Sequence, residues 1–577
     1  MLSLFGAGIG RGIVIGKAYV LRNSEIEIPH FDIDISDTKK EVIRLNTALK
    51  STHDTYKSLL KNLPKTAAKE SAAFIEAHTL MLRDPILINE TKKIIRNDQV
   101  NAEYALQTQA NNLIKVFEAM EDPYLRAKKE DVQHVTNRVL RKLLGIVSHS
   151  LDQFNEEDLK GRVIVARDLS PAETLFIKDR KLASFVTDLG SPISHTAVAA
   201  RSLKLPAVVG LRGSTRYIDD EDTLIVDGMR GVIIVNPDRR VLAEFKALQH
   251  SIRKREKALE LLSRQASKTS NGNRIQLLAN VETAQELKEV KRVNAAGIGL
   301  YRTEYLFMNR KTLPSENEQF KAYKRIVTAL DKSIVIRTLD IGGDKRLDFS
   351  YPDKASSESP LGLRAVRLCL NHVDIFKPQL RAILRASAYG KVSIMVPMVS
   401  NMDEVNQILS LIKQTKAELK REKIRYDKRI KIGAMIEVPA AAIMADLFAQ
   451  KFDFLSIGTN DLIQYTLAID RVDDAVNYLY EPIHPAVIQM IRHTIKAGER
   501  ANIPVSLCGE MAGNVRYTKL LLGLGLKNFS MDATYILDVK EKIPKTDTSK
   551  LKYLVNKVRR ADNPSLARDY LTRLNQS

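Results

Sequence analysis

Charged and reactive side chains recur just behind short apolar runs in the second half of the chain. Arg302 is followed by Thr303 and Glu304. Arg337 leads into Asp340-Ile341-Gly342-Gly343-Asp344-Lys345, and Glu437 closes KIGAMIEV. Asn460 and Asp461 follow Gly458, Arg471 lies a little further on, and Cys508 precedes Gly509 and Glu510. Several arginines can grip carboxylate and phosphate oxygens through paired N–H groups, and they keep their charge at neutral pH. Glu437 and Asp461 are hard oxygen ligands suited to Mg²⁺ in a site that also binds phosphate. Metal and arginines together would neutralise charge on a transferring phosphoryl group. Cys508 has two readings: a core thiol, or a proton carrier at the substrate.

A second constellation is TDLGSPISHTAVAARSLKLPAVVG, residues 187–210. His195 follows a Gly/Ser/Pro turn and opens the helix-like stretch Thr196 to Ala200. In that setting one imidazole nitrogen can act as a nucleophile while the other is held. Amides at a helix start can receive a phosphate. The other nine histidines take structural roles by default, with His484, in EPIHPAV, a marginal exception.

Eight apolar runs must position the first constellation: IQLLANV (275–281), AGIGLYR (296–302), SIVIRTL (333–339), VSIMVPM (392–398), KIGAMIEV (431–438), FDFLSIG (452–458), PVSLCG (504–509) and NFSM (528–531). Near-continuous apolar character fits strands buried on both faces. Most are followed by a helical stretch, so the spacing predicts a (β/α)8 barrel over residues 275–577. Barrel active sites lie at the carboxyl ends of the strands, which would gather these groups at one mouth.

The rest of the chain divides by texture. Residues 1–21 read as one or two short strands. Residues 22–145 form an inserted helical bundle: Val42, Leu45, Leu49, Thr52, Tyr56 and Leu59 follow helical spacing, Pro64, Pro85 and Pro123 punctuate the run, and no glycine lies between Gly16 and Gly145. Residues 146–236 alternate apolar runs with Gly and Pro and join 1–21 in an α/β domain. Residues 237–274 read as a connecting helix closed by the turn-rich SKTSNGNR. The class is therefore multidomain α/β. No apolar run approaches the roughly 20 residues that cross a bilayer, and two cysteines in 577 residues exclude a disulfide scaffold. The expected compartment is the cytoplasm. A net charge of +21 raises nucleic-acid binding, but the basic residues are spread along the chain without aromatic or zinc-finger motifs, so neither nucleic acid nor membrane is an expected partner.

The His195 segment resembles the phosphohistidine segment of phosphoenolpyruvate-utilising enzymes. GLYRTEYLFM, VIRTLDIGGDK, ESPLGLRAVR, AMIEVPAAA, LSIGTNDLIQYTLAIDR and LCGEMAG resemble the phosphoenolpyruvate-binding barrel of the same superfamily. The order of motifs over nearly the whole chain is similar to the Enzyme I family of the bacterial phosphotransferase system. The related dikinase and synthase carry a large ATP-binding domain ahead of these parts, and the nitrogen-regulatory Enzyme I carries an added sensory domain. That regulatory form remains the alternative reading.

The resemblance implies a swivelling α/β domain in which His195 is phosphorylated on Nε2 with Thr174 hydrogen-bonded to it. It implies an inserted domain that docks the carrier protein HPr, and a barrel that dimerises. It assigns phosphoenolpyruvate binding to Arg302, Arg337, Asn460, Asp461 and Arg471, with Lys345 and Arg364 as further mouth residues. It assigns Mg²⁺ to Glu437 and Asp461, and makes Cys508 the acid that protonates the enolate to pyruvate. One departure stands out. Many family members have Gly-Gly-Arg-Thr ahead of Ser-His, where this chain has Gly190-Ser191-Pro192-Ile193. Pro192 fixes a backbone φ that Arg would leave free.

Overall fold

The computed structural model describes the chain apart from residues 11, 22–26, 62–68, 121–122, 147–158, 170–172, 174–181, 191–195, 198–199, 201–204, 309, 311, 342–360, 472 and 474–475. It divides into two compact units, Met1–Lys254 and Arg255–Ser577. The predicted residues His195, Thr174 and Lys345 lie outside the described residues.

In the first unit, strands β1 (Leu2–Phe5), β2 (Ala7–Ile9), β3 (Ile13–Leu21), β4 (Val163–Ala166), β5 (Ser184–Thr187), β6 (Ala207–Val209), β7 (Thr223–Asp227) and β8 (Val232–Val235) form one mixed sheet. Their order is β1-β8-β7-β3-β4-β5-β6-β2. The first 21 residues therefore carry three strands rather than the expected one or two. Gly6 is the reason: it separates β1 from β2, which lie at opposite edges of the sheet. A Cβ there would sit 2.6 Å from the Val209 carbonyl oxygen, so only glycine lets the chain make that passage.

Among the described residues, the long helices between β3 and β4 are α1 (Thr38–Lys61), α2 (Lys69–Met81), α3 (Pro85–Asn97), α4 (Ala102–Glu118) and α5 (Pro123–Leu143). Leu45, Leu49, Thr52 and Tyr56 on α1 are all buried, as the helical spacing requires. Pro85 opens α3, where a missing N–H costs nothing, and the Asp84 side chain accepts from Ile86 N at 2.8 Å. The predicted connecting helix is α6 (Arg239–Leu262).

The second unit contains all eight predicted barrel strands: β9 (Gln276–Val281), β10 (Gly297–Tyr301), β11 (Ser333–Arg337), β12 (Val392–Val396), β13 (Lys431–Ile436), β14 (Phe454–Ile457), β15 (Val505–Leu507) and β16 (Asn528–Asp532). Each pairs in parallel with its neighbour, and β16 pairs with β9 to close the barrel. The apolar runs are continuous because both strand faces are buried: one against the surrounding helices, the other against an inner cluster of Leu300, Met395, Met435, Phe454 and Cys508.

Candidate active site

Closure of the barrel brings the charged strand ends to one rim. Arg302 follows β10, Arg337 ends β11, Glu437 follows β13, and Cys508 follows β15. Asn460 and Asp461 open the helix Thr459–Leu467 behind β14, and Arg364 caps the helix Ala365–Asn371.

Two arginines form the buried heart of this rim. Arg337 Nη2 donates to Glu304 Oε1 at 3.0 Å, and its Nη1 pairs with Asp340 Oδ2 at 2.8 Å. Arg364 Nη2 donates to Asp340 Oδ1 at 2.9 Å and its Nη1 to the Tyr465 hydroxyl at 3.1 Å. The Asp340 carboxylate thus holds both guanidinium groups, while Glu304 Oε1 also accepts from Asp340 N at 3.0 Å. Burial disfavours the charge on Arg337, but Glu304, Asp340 and Glu437 outweigh it and raise its pKa. Arg364 is raised in the same way by Asp340 and Asp461 against its burial. Both Nε atoms, and Glu304 Oε2, are buried with no hydrogen-bond partner, so the arginines keep donors that their own carboxylates do not use.

Glu304 and Asp340 stood among the charged groups behind the strands but were given no role in the site. Their signal was present, since each sits within three residues of an arginine that was singled out. Gln379 was missed altogether. It is fully buried, accepts from Leu339 N at 2.9 Å and donates to Thr303 Oγ1 at 3.2 Å, and Thr303 in turn donates to the Arg337 carbonyl at 3.0 Å. This bracket fixes the backbone from which Arg337 projects.

Glu437 is buried, and its Oε1 accepts from Met398 N at 2.7 Å. Its pKa is pushed up to about 8 by burial first, then by Asp461 and Asp340, against Arg337 and the Met398 amide. The negative charge that Asp461 and Asp340 place beside buried Glu437 is what a divalent cation would relieve. Gly458 leaves the room: a Cβ there would lie 2.8 Å from Glu437 Oε2. Asp461 also faces Arg364 at 3.8 Å and Arg471 at 3.9 Å. Among the described residues, no three His, Cys, Asp or Glu side chains gather into a metal-holding group.

Arg302 and Asn460 lie more openly, whereas Cys508 does not. Arg302 is half-exposed and paired with Glu282. Asn460 and Glu510 exchange two hydrogen bonds, each 3.0 Å, that tie the loops behind β14 and β15 together. Cys508 is buried, and its Sγ lies 3.6 Å from the Ile457 carbonyl oxygen. Burial raises its pKa, with Glu437 adding to the effect and Ser456, Arg337 and Arg302 opposing it. The thiol therefore keeps its proton at neutral pH, which both the core-thiol and the proton-carrier readings require.

Around the predicted nucleophile, the described residues Thr196, Ala197 and Ala200 are helical and buried, and Thr196 Oγ1 donates to the Leu169 carbonyl at 3.2 Å. Asp188, just ahead of the turn, binds the Ser214 hydroxyl at 2.6 Å and the Thr215 hydroxyl at 2.5 Å.

Three family profiles cover most of the chain. They are the N-terminal part of PEP-utilising enzymes over residues 5–128, their mobile domain over 159–231, and their PEP-binding domain over 256–548. The chain belongs to the PEP-utilising enzymes. Among curated members of the family, it is 41% identical over 570 residues to the phosphoenolpyruvate-protein phosphotransferase of Cupriavidus necator, covering 97% of each chain. It is 40% identical over 552 residues to the protein of that name from Staphylococcus carnosus, covering 95% of each. A solution structure of an Enzyme I protein matches 43% of this chain and 99% of its own, at 34% identity and a TM-score of 0.39. The resemblance read from the motifs and the multidomain α/β class are both borne out for this PEP-utilising enzyme. No described helix is long and apolar enough to cross a membrane.

Proposed function

We infer that this PEP-utilising enzyme is a phosphoenolpyruvate–protein phosphotransferase, which moves the phosphoryl group of phosphoenolpyruvate to its own His195 and then to HPr, releasing pyruvate. The observation that carries the reading is the buried pair Arg337 and Arg364, held by Asp340 beside two carboxylates and a protonated thiol.

Arg337 and Arg364, with Arg302 and Arg471 at the more open edge, bind and orient the carboxylate and phosphate oxygens of the substrate. Asn460, Asp461 and Lys345 complete the binding set. Glu437 and Asp461 would hold Mg²⁺, a reading supported by the raised pKa of buried Glu437 beside Asp461 and by their oxygen chemistry; when bound, Mg²⁺ would neutralise charge on the substrate oxygens. His195, with Thr174 holding its ring, attacks phosphorus through Nε2. As the phosphorus–oxygen bond to the enolate breaks, Cys508 delivers its proton to the methylene carbon.

Residues 1–21 with 146–236 form the phosphohistidine domain, 22–145 dock HPr, 237–274 link, and 275–577 bind substrate and dimerise. One histidine cannot face both donor and acceptor, so the phosphohistidine domain swings between them about the Gly145 junction and the 237–274 segment. The enzyme acts in the cytoplasm, on the sugar branch of the phosphotransferase system.

Incubation with phosphoenolpyruvate, Mg²⁺ and HPr, with pyruvate and intact-protein mass as readouts, tests this directly. The wild-type chain should gain one phosphoryl group and release pyruvate, and His195→Ala should gain none. Phosphorylation of the His195→Ala chain by phosphoenolpyruvate would refute the assignment.

A further inference from the structure

The two buried arginines of the rim are held differently. Arg337 is gripped by a carboxylate at each end, Glu304 on Nη2 and Asp340 on Nη1. Arg364 has a carboxylate in contact at one end only. Its Nη2 donates to Asp340 Oδ1 at 2.9 Å, while its Nη1 donates to the Tyr465 hydroxyl at 3.1 Å. Among the described residues, two guanidinium charges thus meet two carboxylates in direct contact, and the remaining partner is a hydroxyl that is uncharged at neutral pH. A third carboxylate in that place would turn the group net negative towards an anionic substrate.

Tyr465 reaches Arg364 because of the helix that carries it. It lies four residues after Asp461 on the helix Thr459–Leu467, one turn on and on the same face. Arg364 Nη2 also lies 3.8 Å from Asp461 Oδ2, so both residues of that face stand beside one guanidinium. The main chain of Arg364 is fixed from the opposite side. Ala365, next in the chain, has a φ of +49°, a left-handed conformation that alanine rarely adopts, and its N–H donates to the Ile341 carbonyl at 3.0 Å. The backbone is therefore anchored to the loop after β11 and the guanidinium to the helix after β14. With Nη1 and Nη2 both engaged, the plane of the guanidinium is set. So is the direction of its Nε–H, which is buried and has no hydrogen-bond partner.

We propose that Tyr465 is a positioning residue for phosphoenolpyruvate binding, whose hydroxyl fixes the Arg364 guanidinium against the helix that carries Asp461 so that Arg364 presents its charge to the substrate. This rests on the reading of Arg364 as a substrate-binding residue. Tyr465 acts through Arg364. A guanidinium held at one end can still turn, and holding it at both ends removes that freedom before the substrate arrives, so the cost of ordering does not fall on binding.

Tyr465→Phe removes one hydroxyl and keeps the ring. In steady-state assays with Mg²⁺ and excess HPr, it should raise KM for phosphoenolpyruvate about tenfold, the low end of what one hydrogen bond to a charged group contributes. Its kcat should stay within about twofold of the wild type, as expected when ground-state binding alone is lost. Its unfolding midpoint should match that of the wild type. A double-mutant cycle decides the role. Arg364→Met should itself raise KM, and adding Tyr465→Phe to it should raise KM no further, because the hydroxyl then has no guanidinium to hold. Arg364→Lys keeps a cation beside Asp340 without the planar fork, and is the second background should Arg364→Met fail to fold; the effect of Tyr465→Phe should be lost there as well. A full tenfold effect of Tyr465→Phe in these backgrounds would mean that the hydroxyl meets the substrate itself, and would overturn the positioning role. An unchanged KM in Tyr465→Phe, with Arg364→Met impaired, would overturn it and leave the reading of Arg364 intact. If Arg364→Met kept the wild-type KM and kcat, that reading would fail and the proposal with it.

Discussion

Among the described residues the chain forms two eight-stranded sheets built on opposite plans. The barrel of the second unit is all-parallel and closed, so every strand delivers its carboxyl end to the same rim. Arg337, Glu437 and Cys508 converge there although more than 160 residues separate the first from the last. The sheet of the first unit is mixed, and β1 and β2 sit at its two edges. It has no single rim on which all strand ends gather, and its candidate nucleophile falls in the sequence between β5 and β6. A site that must hold a multiply charged substrate needs many fixed groups. A site that only ferries a phosphoryl group needs one nucleophile and freedom to move.

The sharpest way to break this contrast is to disturb one sheet and watch the other. Arg337→Ala removes the cation shared by Glu304 and Asp340 and leaves both carboxylates buried. It should destabilise the second unit by about 3–5 kcal/mol, the usual cost of breaking a buried ion pair, and abolish phosphoenolpyruvate binding. Calorimetry should show the transition of the first unit unmoved. A smaller effect is expected from Asp188, one of the buried carboxylates of the first unit. Asp188→Ala should cost that unit about 1–3 kcal/mol, because Ser214 and Thr215 lose their acceptor, while calorimetric binding of phosphoenolpyruvate to the barrel stays as it was. If either substitution moved both units together, the two sheets would not be independent supports.

The third test uses pH. Glu437 is pushed up to about 8 when folded, from an ordinary value near 4.5. Between those values the folded state binds a proton that the unfolded state has lost, so the Glu437 contribution to stability falls as pH rises. Mg²⁺ requires the carboxylate, so its affinity, followed by titration calorimetry, should drop as pH falls below about 8, by at most about tenfold per pH unit. An affinity independent of pH between 6 and 8 would remove Glu437 from the metal site. The smallest effect belongs to a residue that only builds the scaffold. Asn401 caps the helix Met402–Arg421 by accepting from Glu404 N at 2.9 Å. Asn401→Ala should lower barrel stability by about 1 kcal/mol in urea unfolding without changing substrate affinity.

Much of the barrel was legible in the sequence, because strands buried on both faces must be apolar throughout. Runs such as VSIMVPM and KIGAMIEV declare themselves without any knowledge of their neighbours. The first unit was less legible. The passage of the chain through Gly6 turned an expected one or two strands into three, because the need for glycine arises from Val209, a residue remote in sequence. Positive charge was also visible early. The carboxylates beside it were visible too, but not which of them holds which arginine, because an acid near an arginine in sequence has many possible partners.

Residue identity and local spacing alone determined the apolar runs, the helical insertion, the reactive types behind the strands and the motifs that place the chain among PEP-utilising enzymes. Tertiary structure decided which carboxylate holds which arginine and why Cys508 keeps its proton. Hydrophobic periodicity is a local property that each segment carries by itself. Ion pairing, burial and hydrogen-bond continuity depend on groups from different strands meeting, and only closure of the barrel brings β11, β13, β14 and β15 to the same few ångströms.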